Sequence, residues 1–276
     1  MDKVITSTQN PKIKEAVKLT HRKKREESHL FLIEGYRELM RAMKGEVQLQ
    51  SLYICPELFL GMNEGTLIEE ARIRGVEIVH CIPHVFEKLS YRDRPDGLIA
   101  IGVHMQMTFA DFIGRLASKK HPLVVIAESI EKPGNLGTIL RSADAAGADG
   151  VIVCDRCTDI YNPNVVRASV GTLFSIPVVE VESSKALLWL RERKIKIVAA
   201  TPSAKESFTE ANLMGGIAIV VGTEQLGLSE QWIHAADIRV RIPMHGEADS
   251  LNVAMATTLL LYECLRQRNE TIPWRA

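Results

Sequence analysis

From Leu123 onward, short and almost wholly apolar segments alternate with stretches of helical pattern. Segments of this kind are typical of parallel strands that helices cover on both faces of a sheet. Six of them are expected to be strands: 123–127, 151–154, 178–181, 197–201, 217–221 and 238–242. Ligands of such sheets bind beyond the carboxyl ends of the strands. The C-terminal part therefore predicts an α/β fold, mainly parallel, with its site along one edge.

A smaller α/β pattern precedes this one. Strand-like segments at 30–33, 52–55, 76–82 and 98–103 are separated by helical segments at 36–43, 66–74 and 85–89. The next eighteen or so residues lose apolar periodicity and end at a Lys-Lys-His-Pro sequence. We therefore expect one domain over residues 1–105, a linker over 106–121 and a second domain over 122–276.

The composition is that of a globular protein without a membrane span or a disulfide framework. The chain is 46% hydrophobic and 25% charged, as ordinary globular chains are. No run approaches the roughly 18 apolar residues of a membrane span, and no membrane association is expected. Five scattered cysteines do not indicate a disulfide framework, which favours the cytoplasm. Cys154 and Cys157 have CxxC spacing but no second pair to complete a zinc site, so no metal is expected.

The N-terminal residues are basic although the net charge of the whole chain is zero. Four cations run together at Arg22, Lys23, Lys24 and Arg25. Clustered cations attract phosphate, so we expect these four residues to bind a phosphate-bearing partner. A solvated helix end is the equally weighted alternative.

The first of three polar segments at predicted strand ends spans residues 131–141. Pro133 and Gly134 break the chain after the strand, and Asn135 is positioned to cap the helix that follows. The apolar face of that helix is expected to comprise Leu136, Ile139, Leu140, Ala143 and Gly147. Arg141 points away from this face and is therefore expected to meet water, a ligand or another chain.

The second segment, residues 220–228, follows the strand expected at 217–221. Gly222 and Gly227 allow a close backbone approach or a positive φ. Glu224 is the only charge in this loop, and a tight turn with an incidental acid is the alternative interpretation. The chain contains neither GxGxxG nor GxxxxGK[ST], which disfavours dinucleotide-binding and P-loop sites.

The third segment joins Ile242-Pro243-Met244 to a long helix that begins near Ser250, a good N-cap residue. That helix carries two apolar stripes on opposite sides. One comprises Leu251, Ala254, Met255, Tyr262 and Leu265, and the other Val253, Ala256, Leu260 and Cys264. A helix that is apolar on both sides is buried on both. One stripe is expected to pack on the sheet and the other on a second copy of the chain.

In this order, the three segments resemble the motifs of the SpoU branch of the SPOUT methyltransferases, over residues 123–268. The segments 7–12 and 31–35 resemble the substrate-binding domain of these enzymes, which is similar to ribosomal protein L30e. The resemblance implies a trefoil knot in the C-terminal domain. It also implies transfer of a methyl group from S-adenosylmethionine to a ribose 2′-hydroxyl of RNA, ribosomal RNA more than tRNA.

The resemblance also implies roles for individual residues. The catalytic set is Arg141, Asn135, Glu224, Ser250 and Asn252, and the cofactor set is Gly222, Ile242, Leu251, Thr201 and Met244. The segment 162–171 also resembles the family. Arg167 in this segment is expected to bind RNA, as are Arg22, Lys23, Lys24 and Arg25. The alternatives are a tRNA ribose methyltransferase, an inactive RNA-binding assembly or resistance factor, a SPOUT enzyme acting on a base nitrogen, and a Rossmann oxidoreductase.

Overall fold

A computed structural model describes residues 4–155 and 158–268. The strands are β1 (Val4–Ile5), β2 (Leu30–Glu34), β3 (Leu49–Ile54), β4 (Glu77–Cys81), β5 (Leu98–Val103), β6 (Leu123–Glu128), β7 (Gly150–Cys154), β8 (Val178–Val181), β9 (Lys196–Ala200), β10 (Glu206–Ser207), β11 (Ile217–Val221) and β12 (Ile238–Arg241). The α-helices are α1 (Pro11–Lys18), α2 (Arg22–Ser28), α3 (Tyr36–Lys44), α4 (Glu64–Ile73), α5 (Pro83–Leu89), α6 (Phe109–Leu116), α7 (Pro133–Ala145), α8 (Pro163–Ala168), α9 (Ser183–Glu192), α10 (Glu230–Ala235) and α11 (Val253–Arg268).

The chain divides into two compact units. The first comprises residues 1–106 and 159–175, and the second comprises residues 107–158 and 176–276. No helix among the described residues is long and apolar enough to cross a membrane.

The first unit is built on a mixed sheet with the strand order β1-β4-β3-β5-β2. β4 runs parallel to both β1 and β3, whereas β5 runs antiparallel to β3 and β2. One face of the sheet packs against α1 and α5, where Ile13, Leu19, Phe86 and Leu89 are buried. The four strands expected at 30–33, 52–55, 76–82 and 98–103 are all present, whereas α1 and β1 were not expected.

The segment 159–175 belongs to the first unit, although the sequence placed it within a domain spanning 122–276. Its α8 packs against β2. Tyr161 is buried, stacks on His104 at a ring-centroid distance of 4.0 Å and donates a hydrogen bond to the Met105 carbonyl oxygen at 2.8 Å. The Arg41 guanidinium also hydrogen-bonds the Val170 carbonyl oxygen. Each of these contacts joins residues more than 50 positions apart in the chain, so local sequence patterns could not predict them.

The second unit is built on a seven-stranded sheet with the order β10-β12-β9-β11-β6-β7-β8. All of its strand pairs are parallel. The six strands expected from the sequence are present, and the predicted parallel α/β fold is confirmed. The central strands β6, β7 and β11 are buried on both faces, since they have no exposed residue. The trefoil knot stays a prediction of the family resemblance.

The predicted linker contains a helix, α6, that belongs to the core of the second unit. Thr108 and Asp111 form a capping box at its N-terminus, with the Thr108 hydroxyl accepting from the Asp111 N–H at 3.1 Å. Phe112 and Leu116, one turn apart, are both buried. A Cβ added to Gly150 would lie 2.5 Å from the Phe112 ring, so the glycine lets this ring reach β7. Phe109, Phe112, Ile113 and Leu116 follow the i, i+3, i+4, i+7 spacing of an amphipathic helix, a signal that the expectation of a linker overlooked.

Candidate active site

Polar side chains from three loops meet at the carboxyl edge of the parallel sheet. Asn135 lies in the first turn of α7, Glu224 follows β11, and Asn252 immediately precedes α11. Glu224 Oε1 accepts hydrogen bonds from Asn135 Nδ2 at 3.0 Å and from Asn252 Nδ2 at 2.8 Å. Asn252 Nδ2 also donates to Asn135 Oδ1 at 3.0 Å. The polar residues of three segments far apart in sequence thus form one cluster, the amide–carboxylate cluster.

Lys132 is a member of this site that the sequence analysis missed. Its ammonium forms an ion pair with Glu224 Oε2. The pKa of Glu224 is lowered, first by the hydrogen bond from Lys132 and next by that from Asn135. The Glu224 carboxylate is therefore held in its ionised form. The one available signal was the position of Lys132, next to Pro133 at the start of the first motif.

Two helix caps differ from those expected. α7 begins at Pro133 with Lys132 as its N-cap, because proline is favoured at the first helical position. Asn135 thus lies within the first turn, where its side chain is free to hold Glu224. At α11 the cap is Asn252 rather than Ser250, since Asn252 Oδ1 accepts from the Ala254 N–H at 3.0 Å. Ser250 is exposed in the preceding loop.

A cavity of about 410 Å³ adjoins Glu224, within the size range of small-molecule sites. Loops after β9, β11 and β12 and the start of α11 form its walls. The lining includes Thr201, Gly222, Ile242, Met244, Ser250 and Leu251. All five residues expected to bind the cofactor therefore share one cavity with two of the expected catalytic residues.

Gly222 has a steric reason to be glycine. A Cβ at this position would lie 2.2 Å from the Gly227 carbonyl oxygen, which is shorter than any real contact. The approach arises because the loop folds back on itself: Thr223 and Gly227 exchange backbone hydrogen bonds of 3.1 and 3.0 Å. Gly227 itself has φ +69°. The turn from Gly222 to Gly227 therefore forms one wall of the cavity.

Arg141 lies on the exposed face of α7, as expected. The apolar face of the helix is buried as predicted at Leu136, Ile139, Leu140 and Ala143, while Gly147 is exposed beyond the helix. Arg141 neither lines the 410 Å³ cavity nor hydrogen-bonds the amide–carboxylate cluster. Within the described ranges its guanidinium makes no hydrogen bond or ion pair. It is thus available to a ligand.

The four consecutive basic residues of α2 do not share one environment. The Lys23 side chain is 90% exposed and that of Arg22 is 59% exposed, whereas the Lys24 side chain is 34% exposed. Arg25 is only 1% exposed and forms an ion pair with Asp159 at 2.6 Å. A buried, paired guanidinium does not reach RNA. The structure thus places Arg25 in the core of the first unit.

Arg167 is exposed on α8, in the first unit. Cys154 is buried at the end of β7, while its CxxC partner Cys157 lies outside the described residues.

Two families match the chain in succession. The SpoU rRNA methylase family matches residues 122–262, and the MRM3-like substrate binding domain matches residues 10–100. The first match covers the parallel sheet and the amide–carboxylate cluster. The second covers most of the mixed sheet.

Relatives match over nearly the whole length. A 23S rRNA (uridine-2′-O)-methyltransferase of Streptomyces viridochromogenes is 32% identical, over 91% of this chain and 87% of the relative. A solved structure described as an RNA 2′-O ribose methyltransferase is 40% identical, with a TM-score of 0.84 over 97% of this chain and all of that one. The AdoMet-bound rRNA methyltransferase of Sinorhizobium meliloti is 29% identical, with a TM-score of 0.85 over 96% of this chain and 97% of that one.

Fold, site and relatives together define an RNA methyltransferase that uses S-adenosylmethionine. Within that class, the chain belongs to the SpoU rRNA methylase family. The family, fold and cofactor that the three motifs predicted are thereby confirmed.

Proposed function

We propose that this protein transfers the methyl group of S-adenosylmethionine to a ribose 2′-hydroxyl of ribosomal RNA, in the cytoplasm. The amide–carboxylate cluster carries the proposal. It joins Asn135, Glu224 and Asn252 at the rim of a cavity that fits a cofactor. Relatives named as 23S rRNA 2′-O-methyltransferases favour ribosomal RNA over tRNA. Cys55, Cys81 and Cys264 are buried thiols, which is compatible with a reducing compartment.

The cavity has the chemistry that a nucleoside-containing cofactor needs. Ile242, Leu251 and Leu260 supply apolar walls for a base, and Thr201 and Asp249 supply polar groups. The close turn at Gly222 brings the backbone of this loop against the cavity. These residues would hold S-adenosylmethionine, and the binding should be measurable by calorimetry.

Glu224 lines both this cavity and a shallower depression of about 80 Å³ whose lining includes Lys132 and Asn135. We assign the depression to the acceptor ribose. When bound, S-adenosylmethionine would supply a methyl group on a positively charged sulfur to the ribose oxygen. Glu224 accepts a hydrogen bond from the 2′-hydroxyl and orients it, because an ionised carboxylate held by three donors has a fixed position. Its lowered pKa makes it a weak base.

Arg141 is assigned to an RNA phosphate beside the target. The planar donors of a guanidinium match two phosphate oxygens, and those of Arg141 have no other partner within the described residues. In single-turnover assays, Arg141→Ala should abolish methyl transfer and leave calorimetric cofactor affinity unchanged. Arg115→Ala, on an exposed face of α6, is the matched control and should retain the wild-type rate. An Arg141→Ala variant that transfers at the wild-type rate contradicts the assignment.

We further propose that the protein is a homodimer joined through α11. Met255, Leu259 and Tyr262 are 62%, 41% and 50% exposed and lie on one side of this helix. Apolar side chains aligned on one helix face are suited to a second copy of the same helix. The other expected interface stripe is excluded, since Leu260 and Cys264 are buried within their own unit.

A further inference from the structure

The loop between α5 and β5, residues 90–97, is held by buried carboxylates. Glu34 accepts hydrogen bonds from the Ser90 hydroxyl and from the Tyr91 N–H, the second at 2.8 Å. Arg92 donates to the Glu34 carbonyl oxygen at 2.8 Å and to Glu38 Oε1 at 2.6 Å. Three consecutive loop residues are therefore tied to β2 and α3, Tyr91 through its backbone N–H and Ser90 and Arg92 through their side chains.

Burying carboxylates to hold the loop has a desolvation cost. Glu34 and Glu38 are 8% and 5% exposed, and burial raises the pKa of both carboxyl groups. Asp96, also buried, accepts from the Tyr36 N–H at 3.1 Å. Buried charges contribute little to stability on balance, and their value is to specify one geometry. The loop thus has its conformation before any ligand arrives, which lowers the entropy cost of binding.

The fixed loop presents an aromatic ring to solvent. Tyr91 is 42% exposed. Its N–H is held by Glu34, and its hydroxyl oxygen accepts a hydrogen bond from Asn164 Nδ2 at 2.9 Å. The ring is anchored at both ends, so it is an ordered surface and not a freely rotating side chain.

Two exposed cations belong to the segments that hold the ring. Arg94 is exposed in the same loop, and Arg167 is exposed on α8 three residues after Asn164. Residues three apart on a helix are neighbours on its surface, so Arg167 lies on the Asn164 side of the ring. Asp93 is the exposed acid of the loop, whereas Asp96 is buried. An ordered aromatic ring with cations on the neighbouring residues suits single-stranded nucleic acid, with bases on the ring and phosphates on the cations.

We propose that Tyr91 stacks on an unpaired base of the RNA substrate while Arg94 and Arg167 contact the adjacent phosphates. The inference rests on the proposed function for the identity of the RNA. Tyr91 is a positioning residue: it acts on binding of the RNA and does not touch the reacting atoms. Stacking is sequence-tolerant, so this surface sets where the RNA lies and not which base is read.

The test is single-turnover methylation of deproteinised 23S rRNA, titrated with excess enzyme, together with filter binding of the same RNA. Tyr91→Ala should raise the enzyme concentration for half-saturation of the RNA roughly 5- to 150-fold, the range for loss of one stacked base. The rate at saturating enzyme and the cofactor affinity should not change. Tyr91→Phe, which keeps the ring, should stay near wild type. Asp93→Asn should tighten binding, because it removes a negative charge beside the phosphates.

Ile73→Ala, which removes an exposed apolar side chain from α4 of the same unit, is the control and should bind as the wild type does. The proposal is overturned if Tyr91→Ala binds RNA like the wild type, which would leave the surface to a protein partner. It is also overturned if Tyr91→Phe is as weak as Tyr91→Ala, or if Tyr91→Ala lowers only the saturating rate. Filter binding measures RNA affinity without methyl transfer. A wild-type enzyme that binds RNA but transfers no methyl group would therefore contradict the proposed function, and the affinity of Tyr91→Ala would still test the stacking.

Discussion

Replacement of Arg25 by alanine separates a structural role of this residue from a role in RNA binding. Its Nε and Nη2 both contact Asp159 Oδ2, at 2.7 and 2.6 Å. Its Nη1 donates to the carbonyl oxygens of Leu19 and Thr20 at 2.8 and 2.9 Å. Arg25→Ala therefore leaves a carboxylate and two carbonyl groups without their donor, all in a site where the guanidinium is 1% exposed.

Breaking a buried ion pair by removing one partner costs about 3–5 kcal/mol. A native domain is stable by only about 5–15 kcal/mol, so the loss is a large fraction of the total. At about 2–4 °C per kcal/mol, the melting temperature of the first unit should fall by about 6–20 °C. The Arg25→Ala/Asp159→Ala double variant should lose much less than the sum of the two single variants, because the unpaired charge is then gone.

Thermal unfolding by calorimetry measures the effect, and filter binding of RNA below the transition supplies the comparison. Lys23→Ala is the matched control: its side chain is 90% exposed, so it should melt like the wild type and bind RNA less tightly, with a smaller salt dependence. The reasoning is refuted if Arg25→Ala melts at the wild-type temperature and weakens RNA binding as Lys23→Ala does.

Two further results are expected in the second unit. Tyr262→Asp should convert a dimer into a monomer in sedimentation without lowering the melting temperature, whereas Leu260→Asp should unfold the domain because Leu260 is buried. A monomeric wild type would reject the dimer. Asn135→Ala removes a donor that lowers the pKa of Glu224, so this pKa should rise and the acid limb of the pH–rate profile should move to higher pH. An unmoved limb would mean that ionisation of Glu224 does not control the rate.

The fold of the second unit was predictable because its strands are buried on both faces. Near-continuous apolar runs such as 217–221 mark parallel strands without any information from distant contacts. The two apolar stripes of α11 were also predictable from the sequence. Because their compositions are similar, the sequence does not distinguish them. Which one faces the sheet depends on packing that only the structure shows, with Leu260 inside and Met255 outside.

The amide–carboxylate cluster was predictable only as a set of strand-end residues. Asn135 and Glu224 are 89 residues apart in the chain, and Asn135 and Asn252 are 117 apart. Their convergence follows from the parallel topology, yet the hydrogen bonds among them do not. The contribution of Lys132 was missed because a lysine beside a proline has no distinguishing pattern of its own.

For the basic residues of α2, the sequence predicted a shared binding role that one of the four does not have. The sequence predicts one uniform basic cluster at residues 22–25, because it gives the charge of each side chain but not whether that side chain points to solvent or to the core. Arg25 points inward because Asp159, 134 residues later, supplies a buried carboxylate. That partner belongs to the segment 159–175, whose membership of the first unit rests entirely on such long-range contacts.

Mass spectrometry of the methylated RNA nucleoside tests the central claim most directly. The purified protein is incubated with deproteinised 23S rRNA and S-adenosylmethionine carrying a deuterated methyl group, and the RNA is digested to nucleosides. The account predicts one labelled nucleoside whose heavy methyl group resides on the ribose, and loss of that label with Arg141→Ala. A label on the base, or no label from a folded protein that binds the cofactor, would contradict it.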